Sequence, residues 1–131
     1  MTGSDSRNAE PIHSYRDLRV WQQAMGLAEA CYRRTRQFPK EELYGMTSQI
    51  RRAAASVPAN IAEGQGRENR GDYIQFLRVA QGSLKELETH LILSHRVKLT
   101  TVEDVEPLLA QCEAVGKMLR ALIRSLQSSR K

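Results

Sequence analysis

"SVPANIAEGQG" occupies Ser56–Gly66 and decides the fold. Around it Leu43, Met46, Ile50, Ala53 or Ala54, Val57 and Ile61 recur at three- and four-residue steps, the period of an amphipathic helix. That helix should begin near Glu41 and end at Gly64 and Gly66, because glycine is a common helix terminator. Pro58 lies inside it, where a proline removes one backbone hydrogen bond and bends the helix. Ser56 or Asn60 offers a short polar side chain to a group freed by the bend. The surrounding "RRAAASVPANIA" has five alanines and no charge between Arg52 and Glu63. A helix that is small or apolar on most sides is buried on most sides, so this segment predicts a second contact surface beyond the core of one chain.

The same period extends along the chain in both directions. Leu18, Trp21, Met25, Ala28, Tyr32 and Thr35 predict a first helix from about Asp17 to Gln37, stopping before Pro39. Tyr73, Phe76, Leu77, Ala80, Leu84, Leu87 and Leu91 predict a third helix, capped by Asn69 or Asp72 and fading near Val97. Val105, Leu108, Leu109, Cys112, Val115, Leu119, Leu122 and Leu126 predict a fourth. Its start is open between "TTVED", where Thr100 and Glu103 have capping-box spacing, and Glu106, which would put Pro107 at the first position. No segment alternates with period two. Helices of about 20–28 residues joined by a few residues pack antiparallel with their neighbours. The expected fold is all-α: an up-down-up-down four-helix bundle over residues 15–131 with its second helix kinked at Pro58.

A chain of 131 residues is one domain with room for a core that needs no disulfide or metal. Aromatic residues are only 5% of it, so that core must be mostly aliphatic. Cys31 and Cys112 form no CxxC pair, which points to reduced, buried packing residues and a cytoplasmic setting. The longest uncharged stretch, Ala53–Ala62, is too short to span a bilayer. "MTGSDSRNAEP" lacks the apolar region of a signal peptide, and residues 1–14 read as a polar, disordered tail.

Net charge is +5, and the stretch 16–40 alone carries +4 from six basic and two acidic residues. Such a segment suits phosphate contacts. Arg33, Arg34 and Arg36 also stand where cations complement a helix dipole. On the second helix, Gln49, Ser56 and Glu63 are seven residues apart and Asn60 joins them at i+4 from Ser56, forming one polar stripe. The third helix has Ser83 and Glu86 in "AQGSLKELE". Gly82 there costs a helix about 1 kcal/mol, tolerable if close packing returns it. Gln49, Ser56, Asn60, Glu63, Ser83 and Glu86 are therefore the candidate polar network, either inside the monomer or between subunits.

"YRDLRVWQQAM", "FPKEELYGMTSQIRRAAASVPANIAEGQGR" and "FLRVAQGSLKELET" resemble the four-helix-bundle proteins encoded within intervening sequences of bacterial 23S ribosomal RNA genes. The resemblance covers about Tyr15–Val97. Beyond it the fourth helix matches only as a generic amphipathic segment, and Asn69 replaces the Ser or Thr common before the third helix. The resemblance implies a bundle that assembles into a ring, commonly a pentamer. It also implies kinship to the accessory variability determinant of diversity-generating retroelements, a basic pentamer that binds nucleic acid and a reverse transcriptase.

No enzyme or cofactor is expected. His90 and His95 are five apart, which aligns them poorly for a shared metal. "ELETH" puts Glu86 and Glu88 at four and two residues from His90, whereas a di-metal bundle site needs Glu-x-x-His. "EGQGRENRG" is glycine-rich but follows a helix, so it reads as a turn rather than a phosphate loop. The leading expectation is a nucleic-acid-binding oligomer, RNA or DNA, contacting phosphates through Arg16, Arg19, Arg33, Arg34, Arg36, Arg51, Arg52, Arg67 and Arg70 with little sequence preference. Base stacking is not expected, since Trp21 and Tyr32 fall on core positions, and Arg51 or Arg52 is alternatively a partner for Glu63 or Glu86. The second expectation is an oligomeric scaffold that holds a polymerase or RNA-processing enzyme without touching nucleic acid.

Overall fold

The computed structural model describes residues 13–128; the rest of the expected tail, residues 1–12, lies outside the described residues. Four helices follow one another: α1 (Arg19–Thr35), α2 (Met46–Gln65), α3 (Arg70–Arg96) and α4 (Val102–Ser128). Among the described residues there is no strand. Each helix packs on the next, and α4 returns to α1, so the four surround one core.

That core is aliphatic, as the composition required. Leu27, Ile50, Val57, Ile61, Leu77, Leu87, Leu91, Val115 and Leu119 are fully buried, and Phe38 is the one buried aromatic among the described residues. Burying each large aliphatic side chain stabilises the fold by roughly 1.5–3 kcal/mol relative to exposure. Cys31 and Cys112 are free and buried, and burial pushes both thiols up to about 12.

The helix ends differ from the sequence expectations for local reasons. Before α1, Tyr15–Asp17 form a 3₁₀ turn closed by a capping box. The Asp17 carboxylate accepts from the Ser14 and His13 backbone amides, so Asp17 ends that turn instead of opening α1, and His13 and Ser14 belong to it. A second 3₁₀ turn, Lys40–Glu42, replaces the expected first turn of α2. Glu42 Oε1 then accepts from the Met46 amide at 3.0 Å and caps the true start of α2. Leu43, expected on the apolar stripe, stands outside the helix and is 48% exposed.

α2 runs on through Pro58, which is buried. Asn69 caps α3 by accepting from the Asp72 amide at 2.7 Å. At the other end of α3, the Lys98 amide donates to His95 and the Leu99 amide donates to Ser94, the two bonds of a Schellman closure. Lys98 carries the positive φ of 70° that this closure requires. α4 begins at Val102 under a Thr101 cap, leaving Pro107 inside the helix rather than at its first position. Thr100, the alternative cap, has a buried hydroxyl with no partner.

Candidate interaction surfaces

α2 works on two sides. One side meets α3 closely: a Cβ added to Gly64 would stand 2.8 Å from Cβ of Phe76 and 3.1 Å from Cδ1 of Tyr73. Further along the pair, the hydroxyls of Ser56 and Ser83 are 2.7 Å apart. Asn60 Nδ2 donates to the Ser56 carbonyl at 2.8 Å and to its hydroxyl at 3.0 Å. Either serine hydroxyl can donate to the other, so Ser56 joins Asn60 and Ser83 in one hydrogen-bonded group. The structure thus brings together Ser56, Asn60 and Ser83 from the candidate network. Glu63 is exposed and pairs with Arg67 at 3.1 Å, and Glu86 lies 3.5 Å from His90 on its own helix. Gln49 is exposed and makes no side-chain hydrogen bond among the described residues. Gly82 is exposed with no atom within 4 Å of an added Cβ, so close packing inside the chain does not explain it.

The other side of α2 faces outward. Ala55, Ala59 and Ala62, with Pro58, form the floor of a groove of about 700 Å³ between α1 and α2. Trp21, Met25, Ala28 and Tyr32 of α1 form its wall, with Tyr15 closing one end and Arg33 and Arg36 on the rim beside Glu29. Tyr15 meets Trp21 edge to face, with ring centres 5.2 Å apart. Trp21 is half-buried and Tyr32 is 40% exposed, so these rings line a surface instead of filling the core as their spacing predicted. A groove of about 750 Å³ between α3 and α4 is rimmed by Lys85, Glu88, Glu113 and Arg120 and is more charged.

The nine candidate arginines divide into two sets. Arg34 pairs with Asp104 at 3.2 Å, tying α1 to α4, and Arg67 pairs with Glu63 while lying 4.7 Å over the Phe76 ring. Arg51 donates through Nε to the Thr35 hydroxyl at 2.9 Å and lies 4.7 Å over the Tyr32 ring, so it meets neither Glu63 nor Glu86. Arg16, Arg19, Arg33, Arg36, Arg52 and Arg70 are exposed and form no ion pair among the described residues. Arg16 alone of these touches an aromatic ring, Tyr15, at 5.7 Å.

Tyr44, which belongs to none of the apolar stripes, is 93% exposed. Nothing in its spacing marks it, because exposure here depends on a turn that the helical period hides. Among the described residues no three His, Cys, Asp or Glu side chains gather where a metal could bind, and no helix is long and apolar enough to cross a membrane.

Residues 16–121 match the family described as 23S rRNA-intervening sequence protein. A crystal structure of a protein of unknown function from the S23 ribosomal protein family of Bacteroides thetaiotaomicron superposes with a TM-score of 0.72 at 26% identity. That similarity covers 79% of this chain and 97% of the other. No curated protein matches the chain.

Proposed function

Because the chain belongs to the 23S rRNA-intervening sequence protein family, we propose that it works as a non-enzymatic, cytoplasmic ring, a pentamer, that holds nucleic acid through arginine–phosphate contacts with little sequence preference. In this reading successive helices run antiparallel, which the proximity of Gly64 to Phe76 and the bond between Ser56 and Ser83 support. α2 bends at Pro58. The kinship to the accessory variability determinant of diversity-generating retroelements extends the reading to a reverse transcriptase as partner.

The observation that carries it is the set of six exposed arginines without a carboxylate partner among the described residues. An arginine already paired with a carboxylate must give up that pair to meet a phosphate, whereas these six are free to do so. One copy offers a modest patch. A ring repeats it, and tethering converts weak contacts into avidity. The test is mass by light scattering during gel filtration, with and without a short structured RNA, at low and moderate salt. A ring that takes up RNA at low salt and releases it as salt rises is expected.

The outward groove and Tyr44 favour a second reading, an oligomeric scaffold for a polymerase or RNA-processing enzyme. A ring that ignores RNA at low salt would move the assignment there.

A further inference from the structure

We infer that the turn carrying Leu43 and Tyr44 docks into the α1–α2 groove of a second copy of this chain, joining subunits head to tail. The inference rests on the ring reading and names the contact that builds it.

Three observations meet here. First, Tyr44 is 93% exposed and stands almost free of the described chain, and its neighbour Leu43, half covered by the chain, is still 48% exposed on the same turn. Second, the turn is stiff. The Glu42 amide donates to Pro39, the Leu43 amide to Lys40 and the Gly45 amide to Glu42, all within 3.0 Å, and the Glu42 side chain holds the Met46 amide. An aromatic ring presented on a fixed turn loses little freedom when it is captured, which is the property of an interface anchor. Third, the groove supplies what such an anchor lacks: an alanine floor, the Trp21 ring and space in the usual range for a buried group.

The charges agree in sign. Lys40, Glu41 and Glu42 give the turn a net charge of −1, and Glu29, Arg33 and Arg36 give the groove rim +1. Glu41 is exposed and unpaired among the described residues, as are Arg33 and Arg36. Turn and groove adjoin at Arg36, which lines the groove and also the hollow beside Lys40 and Leu43, but they are built from different residues, so their union between two copies is heterologous, the type of contact that closes into a ring or runs on as a filament. Arg33 and Arg36 then serve assembly, leaving Arg16, Arg19, Arg52 and Arg70 for phosphate.

The test uses Tyr44→Ser and Ala59→Arg, both at exposed positions, with helical content checked by circular dichroism. Assembly is followed by light scattering, and the single tryptophan, Trp21, reports on the groove by fluorescence during dilution. Each variant alone is expected to weaken assembly by about 100-fold or more, the scale of an interface anchor. Mixed together they should form dimers and stop, because one retains the groove and the other retains the turn. Glu41→Arg should also weaken assembly, and adding Arg33→Glu, a groove residue that does not line the hollow beside the turn, to the same chain should restore it.

A wild-type ring whose Tyr44→Ser and Ala59→Arg forms assemble normally would overturn the contact and leave the ring standing. Variants that are monomeric but fail to pair in the mixture would overturn it as well. Trp21 emission that answers to RNA at constant mass, and not to dilution, would assign the groove to nucleic acid instead. A wild type that is monomeric at every concentration would remove the ring reading and this contact together.

Discussion

A methyl group at Gly64 has nowhere to go, since Cβ of Phe76 would be 2.8 Å away and belongs to the backbone-anchored part of that residue. Gly64→Ala should therefore force α2 and α3 apart and cost about 1–3 kcal/mol in chemical denaturation. Gly82, also inside a helix, meets open space. Gly82→Ala should stabilise the chain by roughly 0.5–1 kcal/mol, because only the backbone entropy changes. The sequence marks Gly64 as a helix end and Gly82 as the glycine of a close packing, whereas the close packing is at Gly64, and only the distance to the neighbouring helix reveals it. The thiols make a third case at this scale. Burial raises Cys31 and Cys112 from 9.0 to about 12, so the folded chain resists losing those protons. The stabilisation is complete below the unfolded thiol value and disappears as pH rises from 9 towards 12. The urea midpoint should fall through that window, and fall less steeply in a Cys31→Ala/Cys112→Ala double variant. A double variant with an unchanged slope would assign the loss to other groups.

Helix ends are the element-scale lesson. The period of apolar residues located all four helices and the leucine-rich stripes that became the core, because burial repeats with the turn of the helix. It placed the starts of α1, α2 and α4 less well. The starts of α2 and α4 are fixed by a side chain bonding a backbone amide nearby, Glu42 to Met46 and Thr101 to Asp104, whereas α1 starts after Leu18 with no side-chain cap, because Asp17 is spent closing the preceding 3₁₀ turn. Lys98 shows the same local chemistry at a helix end. Its φ of 70° suits glycine better than lysine, since a side chain crowds its own carbonyl there. Lys98→Gly should raise stability by about 0.5–1 kcal/mol, the strain relieved less the extra freedom glycine gains when unfolded. Between α2 and α3, a double-mutant cycle of Ser56→Ala and Ser83→Ala should give a coupling of about 0.5–1.5 kcal/mol. A coupling near zero would mean that the two hydroxyls act independently.

For the whole molecule, charge and surface decide. On the proposed nucleic-acid reading, Arg52→Ala and Arg70→Ala should each weaken RNA binding and reduce its dependence on salt by about one counterion per site, while leaving helical content intact. Losses without a change in salt slope would point to a role other than phosphate contact. Of the nine candidate arginines, six are exposed without an ion pair among the described residues, while Arg34, Arg51 and Arg67 are engaged by Asp104, by Thr35 with Tyr32, and by Glu63 with Phe76, pairings that depend on neighbouring turns and helices which a helical period does not specify. The sequence by itself determined the helices, the aliphatic core and the family, because these depend on periodicity and on a long contiguous motif. Only the tertiary structure decided that Trp21 and Tyr32 line a groove, that Asn60 bonds Ser56 rather than Glu63, and that Tyr44 stands in water. Each of those outcomes depends on where two elements lie relative to each other, and a helical period fixes a residue's face without fixing which neighbour covers it.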